Sequence, residues 1–265
     1  MQAIQDLSPG DAQGIRAVLF DIDDTITKDG LLLEEAYSAI WALHKAGIAC
    51  VPVTGRPAGW CDLIARQWPV AGVVGENGAF AYYMREGKLE RFFHPAAPEA
   101  QETRLALEAL GRKALGAFPG LRIAKDQAYR LFDLALDFAE EAPDLGLDLA
   151  ARVRDFCEAE GTHAKVSSIH VNAWFGDYDK LSCAELFLSR ILGIDPIVSP
   201  RAIIFFGDSP NDEPMFKRFP LTCGVANVLR YEGLLKYPPT YITKSPFGYG
   251  FAEGCSVLLN LLEGR

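Results

Sequence analysis

The residues whose spacing could do chemistry are Asp21-Ile22-Asp23-Asp24-Thr25, which end the apolar run Ile15-Arg16-Ala17-Val18-Leu19-Phe20. Carboxylates crowded at the end of a buried strand are costly unless a metal, a partner or a proton compensates them. A bound divalent cation and a role in phosphoryl chemistry would meet that cost. Two more apolar runs end in polar clusters. Residues 48–53 lead into Thr54-Gly55-Arg56-Pro57, and residues 202–206 lead into Gly207-Asp208-Ser209-Pro210-Asn211-Asp212. Ligands of an open parallel sheet bind beyond the carboxyl ends of its strands. All three clusters should therefore meet on one rim, within reach of Lys180 at the start of its helix.

Each group has a use there. A carboxylate such as Asp21 can attack phosphorus and form an aspartyl phosphate. A cation held by Asp21 and Asp208 would offset the repulsion between nucleophile and ester. Hard oxygen donors suit Mg²⁺. Asp23, two residues on, can protonate the leaving oxygen. The Thr54 hydroxyl and the backbone N–H groups of Gly55 and Arg56 can hold phosphoryl oxygens. Lys180 can neutralise charge on the transition state. Arg56 could instead cap a helix or bind the far side of a substrate. Asp24 reads as a turn residue.

The elements that must position these groups alternate. Residues 15–20 read as a strand and 33–46 as a helix, with Leu33, Tyr37, Ile40, Trp41 and His44 on its apolar side and Gly47 as C-cap. Residues 48–53 read as a strand that Pro52 weakens, 58–67 as a helix and 72–74 as a strand. This is βαβ texture and implies a parallel sheet. The middle third differs. Residues 79–84 and 88–93 flank Glu86-Gly87 as a hairpin, with Tyr82 and Tyr83 structural. Helices are expected over 99–118 and 147–160. Residues 131–138 favour a strand with Asp133 and Asp137 on one face, and 163–175 a strand or bent pair. There His170, Asn172 and Trp174 alternate and could form a polar-aromatic face near Lys180, suited to a sugar. The last third returns to α/β texture: a helix over 179–192, a strand over 202–206, a helix from about 210–212, short edge strands at 223–228 and 240–243, and a closing helix over 252–262. The implied fold is α/β, a Rossmann-like core with a parallel sheet, carrying an inserted α+β cap whose sheet is mainly antiparallel. The expected division is core 1–84, cap 85–175 and core 176–265. Disorder is expected in at most the first dozen residues.

Composition narrows the classes. The chain has 265 residues, 49% of them hydrophobic, enough for a full core. A formal net charge of -9 gives no general attraction to nucleic acid or anionic membrane. Neither a signal peptide nor a bilayer-spanning run is evident. The six cysteines form no C-x-x-C pair, so reduced, buried thiols in a cytoplasmic protein are expected.

Together the motifs resemble those of the haloacid dehalogenase superfamily phosphatases. Asp21-Ile22-Asp23-Asp24-Thr25 resembles the first motif, Val53 to Arg56 the second, Asp179-Lys180 the lysine motif and Gly207 to Met215 the fourth. Gly75-Glu76-Asn77-Gly78-Ala79 and Gly224-Val225-Ala226-Asn227 are similar to stretches of subclass IIB, the Cof-type and sucrose-phosphatase-like branch. The Gly-Asp-Ser-Pro-Asn-Asp form is similar to mannosyl-3-phosphoglycerate phosphatase-like members. The resemblance spans roughly residues 15–230. It implies Asp21 as nucleophile and Asp23 as general acid/base. It also implies Mg²⁺ held by the Asp21 carboxylate, the Asp23 main-chain carbonyl and Asp208, with Asp212 behind them or acting through water. Asn211 would orient the Lys180 region. His170 and Asn172 are cap candidates for substrate contact.

The leading expectation is a Mg²⁺-dependent phosphatase for a small phosphorylated metabolite, a sugar phosphate or a sugar-linked phosphoglycerate. The alternatives are a phosphosugar mutase or phosphotransferase, which passes the phosphoryl group to a second hydroxyl, and a phospho-accepting signalling domain. The chain length, the insertion and the second acid of D-x-D weigh against the last.

Overall fold

The computed structural model describes residues 1–167 and 169–264. The chain opens with β1 (Gln2–Ala3) and α1 (Pro9–Gly14). It continues through β2 (Ala17–Phe20), the small hairpin β3 (Thr27–Lys28) and β4 (Leu31–Leu32), α2 (Glu34–Lys45), β5 (Ala49–Pro52), α3 (Ala58–Gln67) and β6 (Val73–Gly75). A long hairpin follows, β7 (Phe80–Arg85) and β8 (Lys88–Phe93). The inserted layer holds α4 (Ala100–Ala117), β9 (Arg122–Ile123), β10 (Asp133–Asp137), α5 (Leu147–Ala159), β11 (His163–Val166) and β12 (His170–Trp174). The return consists of α6 (Lys180–Arg190), β13 (Ile203–Gly207), α7 (Glu213–Arg218), β14 (Leu221–Gly224), β15 (Tyr241–Ile242) and α8 (Phe247–Leu262).

Six strands form a parallel sheet in the order β1-β15-β14-β13-β2-β5. Both faces are covered, which is why β2 and β13 read as unbroken apolar runs. Val18, Phe20, Ile204 and Phe206 pack into one core with Ile40 and Phe251, and Ala17, Leu19, Ile203 and Phe205 into another with Phe187. Pro52 is harmless for a geometric reason. Ala49 and Val53 donate their N–H groups to β2 (Arg16 O and Phe20 O), so the even position 52 faces away from that ladder. The β6-β7-β8 sheet joins the core at the bridge between Val53 and Val74. Its turn, Glu86-Gly87, has φ of 51° and 74°, as a tight two-residue hairpin requires.

The inserted sheet is antiparallel, in the order β11-β12-β10-β9. Period-2 alternation divides its faces. Leu134, Leu136, Val171 and Ala173 pack under α4 and α5 with Leu107 and Val153. Asp133 and Asp137 take the other face, where they pair with Trp174 and His170. Because β8 lies in the sheet bridged to the core, the antiparallel layer itself starts later than residue 85.

Several local expectations are corrected. The first dozen residues are ordered: Gln2 and Ala3 pair with Tyr241 and Ile242, and Ile4, Leu7 and Ala12 are buried. Helix α2 buries Ala36, Ala39, Ile40 and Leu43, while Trp41 and His44 are exposed. Both stripes have helical spacing, and the one containing small alanines lets the helix approach the sheet. Strand β14 ends at Gly224 and residues 226–231 turn into a 3-10 helix; β14 and β15 are interior strands, and β1 takes the edge. Helix α8 starts at Phe247, five residues before the expected start. All six cysteines are buried free thiols. Among the described residues no helix is long and apolar enough to cross a membrane.

Candidate active site

Asp21 is the first residue past β2, and its N–H continues the ladder to Phe206 O. Asp208 stands just past the neighbouring strand β13, with Asp212 at the end of the 3-10 turn Pro210–Asp212. Lys180 is the first residue of α6. Asp179 caps that helix, accepting from Ser182 N at 2.7 Å while Ser182 Oγ accepts from Asp179 N. Gly78 lets this N-terminus approach. It has φ +107°, and a Cβ there would lie 2.0 Å from Asp179 O.

These elements converge. Lys180 Nζ lies 2.9 Å from Asp21 Oδ2 and 3.4 Å from Asp212 Oδ1. Carboxylate oxygens of Asp21, Asp208 and Asp212 all lie within 4.8 Å of one another. Thr25 Oγ1 donates to Asp208 Oδ1 at 3.0 Å, and Asn227 Nδ2 reaches Asp208 Oδ2 at 3.4 Å and Asp24 O at 3.0 Å. Asp208 N donates to Asp212 Oδ2 at 3.1 Å, and Ile22 N to Asp21 Oδ1 at 2.8 Å.

Three buried acids surround one lysine. Burial lifts Asp21 to about 7, with Asp212 and Asp23 adding to the rise and Lys180 opposing it. Burial, then the Asp212 and Asp21 charges, hold Asp208 well above the usual carboxylate range. Asp212 is raised by burial against the pull of Lys180. Burial works to lower Lys180, but Asp21 and Asp212 outweigh it and move it up. One lysine cannot offset three ionised acids, and burial with their mutual repulsion raises them instead. The donor set fits a hard divalent cation: Asp21, Asp208 and Asp212 offer closely spaced oxygens with charge left to neutralise.

Thr54 is fully buried, and its Oγ1 accepts from Arg56 N at 3.1 Å. Arg56 neither caps a helix nor points outward. It grips both oxygens of Asp23, Nε to Oδ2 at 2.9 Å and Nη2 to Oδ1 at 2.7 Å. Its Nη1 reaches Glu140 Oε1 of the inserted layer at 3.0 Å. Gly55, Asn77, His170, Asn172 and Asn211 line one pocket with Asp21 and Asp23. His170, Asn172 and Trp174 lie on the face that sequence alternation assigns them, and the first two are held by acids: His170 Nε2 lies 2.8 Å from Glu140 Oε2, and Asn172 Nδ2 donates to Asp133 Oδ2 at 3.0 Å. Asn211 does not brace Lys180 as expected; its Oδ1 accepts from Ser209 Oγ at 2.6 Å.

Sequence reasoning missed a second group of residues that joins the insertion to the core. Glu76, fully buried, accepts N–H bonds from Ala58 and from Leu131, Phe132 and Asp133. Burial pushes it up to about 8, with Asp133 adding to the shift and Arg130 and the N–H donors opposing it. Arg130 bridges Asp133 Oδ1 at 2.9 Å and Gly55 O at 2.8 Å. The Gly75–Ala79 stretch was the available signal for Glu76 and Asn77. Glu140, in a loop without pattern, had none. A larger cavity of about 840 Å³ lies inside the insertion, beside Leu107, Leu115 and Leu131, away from the acids around Lys180.

Comparison with known proteins finds a family match over part of the chain and solved structures of similar fold. The family model described as haloacid dehalogenase-like hydrolase matches residues 18–102. Residues 18–102 are thus similar to the haloacid dehalogenase-like hydrolases. The fold of the chain is similar to a putative HAD/COF-like hydrolase from Plasmodium vivax, at 15% identity and TM-score 0.69, covering 97% of this chain and 100% of that one. The sucrose-phosphatase of Synechocystis, solved with sucrose and phosphate, aligns at 14% identity and TM-score 0.61 over 91% of this chain and 97% of that one. A HAD subclass IIB sugar phosphatase aligns at 14% identity and TM-score 0.60 over 91% and 98%. At these identities the likeness is one of fold. No curated protein matches the sequence. The matched segment carries Asp21, Thr54 and Glu76, while Lys180, Asp208 and Asp212 reach the site from beyond it.

Proposed function

We propose that the chain is a Mg²⁺-dependent phosphatase that hydrolyses a small phosphorylated metabolite, with a sugar phosphate favoured, through an aspartyl phosphate on Asp21. The observation that carries the reading is the contact of Asp21 with Lys180 at 2.9 Å inside a cluster of three buried acids. Asp21, Asp208, Asp212 and the Asp23 main-chain carbonyl would hold Mg²⁺, which when bound offsets anionic repulsion and clamps a phosphoryl oxygen.

A carboxylate oxygen of Asp21 attacks phosphorus while the bond to the leaving oxygen breaks, and Asp23 supplies the proton to that oxygen. Water then attacks the aspartyl phosphate. Asp23 takes its proton, and phosphate leaves with Asp21 restored. Lys180 neutralises charge on the phosphoryl group throughout, and Thr54, Gly55 and Asn211 orient it. His170, Asn172 and Arg56 meet the leaving group. The polar face of the inserted sheet supports a hydroxyl-rich leaving group, and similarity of fold to sugar phosphatases supports the same choice. Six buried free thiols are compatible with a cytoplasmic setting.

A phosphate-release screen over sugar phosphates and phosphoglycerate conjugates, with Mg²⁺ and with EDTA, tests the proposal. Release that requires Mg²⁺ is expected. Isomerised sugar phosphate without free phosphate would move the assignment to a mutase, and no turnover of any ester would end it.

A further inference from the structure

Three spaces adjoin along the rim of the parallel sheet. A pocket of about 20 Å³ lies against Asp21. Asp23, Arg56 and Ile169 border it and also border a chamber of about 410 Å³ that Asp29, Glu140 and Arg230 help to line. Thr27 and Gly30 in turn border both that chamber and a groove of about 350 Å³. Shared walls thus set the three in series, and polarity falls along the series. The groove has no ionisable side chain in its lining. Ile22 and Ile64, both buried, meet Leu32, Leu63, Trp60 and Trp68 there. Apolar and aromatic walls around such a volume are those of a small-molecule site, typically about 300–1,000 Å³.

Packing of the core does not account for these walls. Helix α3 already buries Ala58, Cys61, Ile64 and Ala65. A surface helix normally turns polar residues to water on its remaining face. Trp60 and Leu63 occupy that face instead, 41% and 50% exposed. The Arg56 guanidinium lies 4.3 Å from the centre of the Trp60 ring and holds both oxygens of Asp23. One side chain therefore joins the groove to the acid that shares a pocket with Asp21. Between groove and chamber the way over the β3–β4 turn is clear. Gly30, at φ +75°, would carry a Cβ that meets nothing within 4 Å.

We infer that the substrate is an amphiphilic phosphomonoester: its phosphate meets Asp21, its hydroxyl-bearing part lies in the chamber, and its alkyl or aryl end lies in the groove of Trp60 and Leu63. The inference rests on the phosphatase reading above and narrows the substrate to a class. A wholly polar sugar phosphate would leave Trp60 and Leu63 in water, whereas an apolar end covers them and gains binding energy far from the reacting phosphorus.

Two probes test it: glycerol 3-phosphate and its 1-O-octyl ether, the latter kept below its micelle concentration. Each competes with hydrolysis of p-nitrophenyl phosphate in Mg²⁺. The inhibition constant reads affinity whether or not the competitor is itself turned over, and it does not depend on the fraction of protein folded. The octyl ether should bind about tenfold tighter or more, an advantage that burial of two methylenes supplies. Leu63→Gln and Trp60→Ala should each cut that ratio about threefold or more, and Leu63→Gln should leave the constant for glycerol 3-phosphate unchanged. Equal constants for the two probes, or a ratio that survives in either variant, would overturn the inference and leave the phosphatase reading standing. A wild-type dimer that Leu63→Gln converts to monomer would overturn it too and assign the groove to a second copy of the chain. Wild-type protein that does not hydrolyse p-nitrophenyl phosphate would instead sink the phosphatase reading, and this inference with it.

Discussion

Asp208→Asn should stabilise the protein without metal and remove its response to Mg²⁺. Asp208 is 2% exposed, and its nearest acids, Asp21 and Asp212, offer oxygens within 4.8 Å. At an effective dielectric of about 20, each such pair repels by about 3–4 kcal/mol. Lys180 bonds to Asp21 and Asp212 but not to Asp208, so the substitution removes two repulsions between ionised carboxylates at the cost of a longer-range attraction and of the carboxylate that accepts from Thr25 and Asn227, about 1–3 kcal/mol for the bonds to a charged group. The net gain is about 2–3 kcal/mol, or roughly 5–10 °C in Tm for a chain of this size. The gain depends on pH. Asp21, raised to about 7, keeps its proton in the folded state where the unfolded chain has released it near 3.8. Stability of the metal-free wild type therefore falls as pH rises from about 4 through 7. Burial and the Asp212 and Asp21 charges also raise the Asp208 carboxyl in the folded state, and asparagine has no such proton to lose, so the advantage of Asp208→Asn should grow as pH rises from about 5 to about 8. In Mg²⁺ at a hundred times its Kd, the wild type should gain about 2.7 kcal/mol that the variant lacks. Thermal melts in EDTA and in Mg²⁺ at both pH values read all of this. A lower Tm for Asp208→Asn in EDTA at pH 8, or an equal Mg²⁺ shift in both proteins, would refute the reasoning.

Asp21→Asn should abolish phosphate release while the far-UV circular dichroism spectrum stays native; appreciable turnover would remove the nucleophile assignment. Gly78→Ala should destabilise by about 3 kcal/mol or more, because its Cβ would overlap Asp179 O and its φ is strained for alanine. It should also cut activity by displacing the N-terminus that carries Lys180, and urea titration beside the phosphate-release assay separates the two effects.

The legible parts of the sequence were those governed by local rules. Strands β2 and β13 announce themselves because a parallel sheet covered on both faces needs unbroken apolar runs. The acids that end them follow from strand polarity, so Asp21 and Asp208 could be assigned to one rim before any coordinates. Alternation was enough to align His170, Asn172 and Trp174. Failures occurred where tertiary contact overrides local pattern. The first residues look like a loose tail, yet Gln2 and Ala3 complete the sheet against β15, a partner more than 200 residues away. In α2, alanines beat Trp41 and His44 for the buried face because small side chains allow close approach. Glu140 was invisible, since its significance comes entirely from Arg56 and His170, which the fold brings to it.

The two sets of contacts between insertion and core differ in what it costs to break them. Near the linkers, the fully buried Glu76 carboxylate collects four backbone N–H groups, and Arg130 and Asp133 form an ion pair with neither side chain exposed. Parting these would strand several buried donors at about 1–3 kcal/mol each. At the mouth, Arg56 meets Glu140 through one bond, and the Glu140 side chain is already 31% exposed, so water can replace it. Asp133 and Asp137 mark the two ends of the same strand, with Asp133 on the buried contact and Asp137 supporting the turn of Glu140. A rigid strand anchored at one end and lightly held at the other swings at the light end. The contact that yields first is that of Arg56 with Glu140, and parting it leaves Arg56 on both oxygens of Asp23.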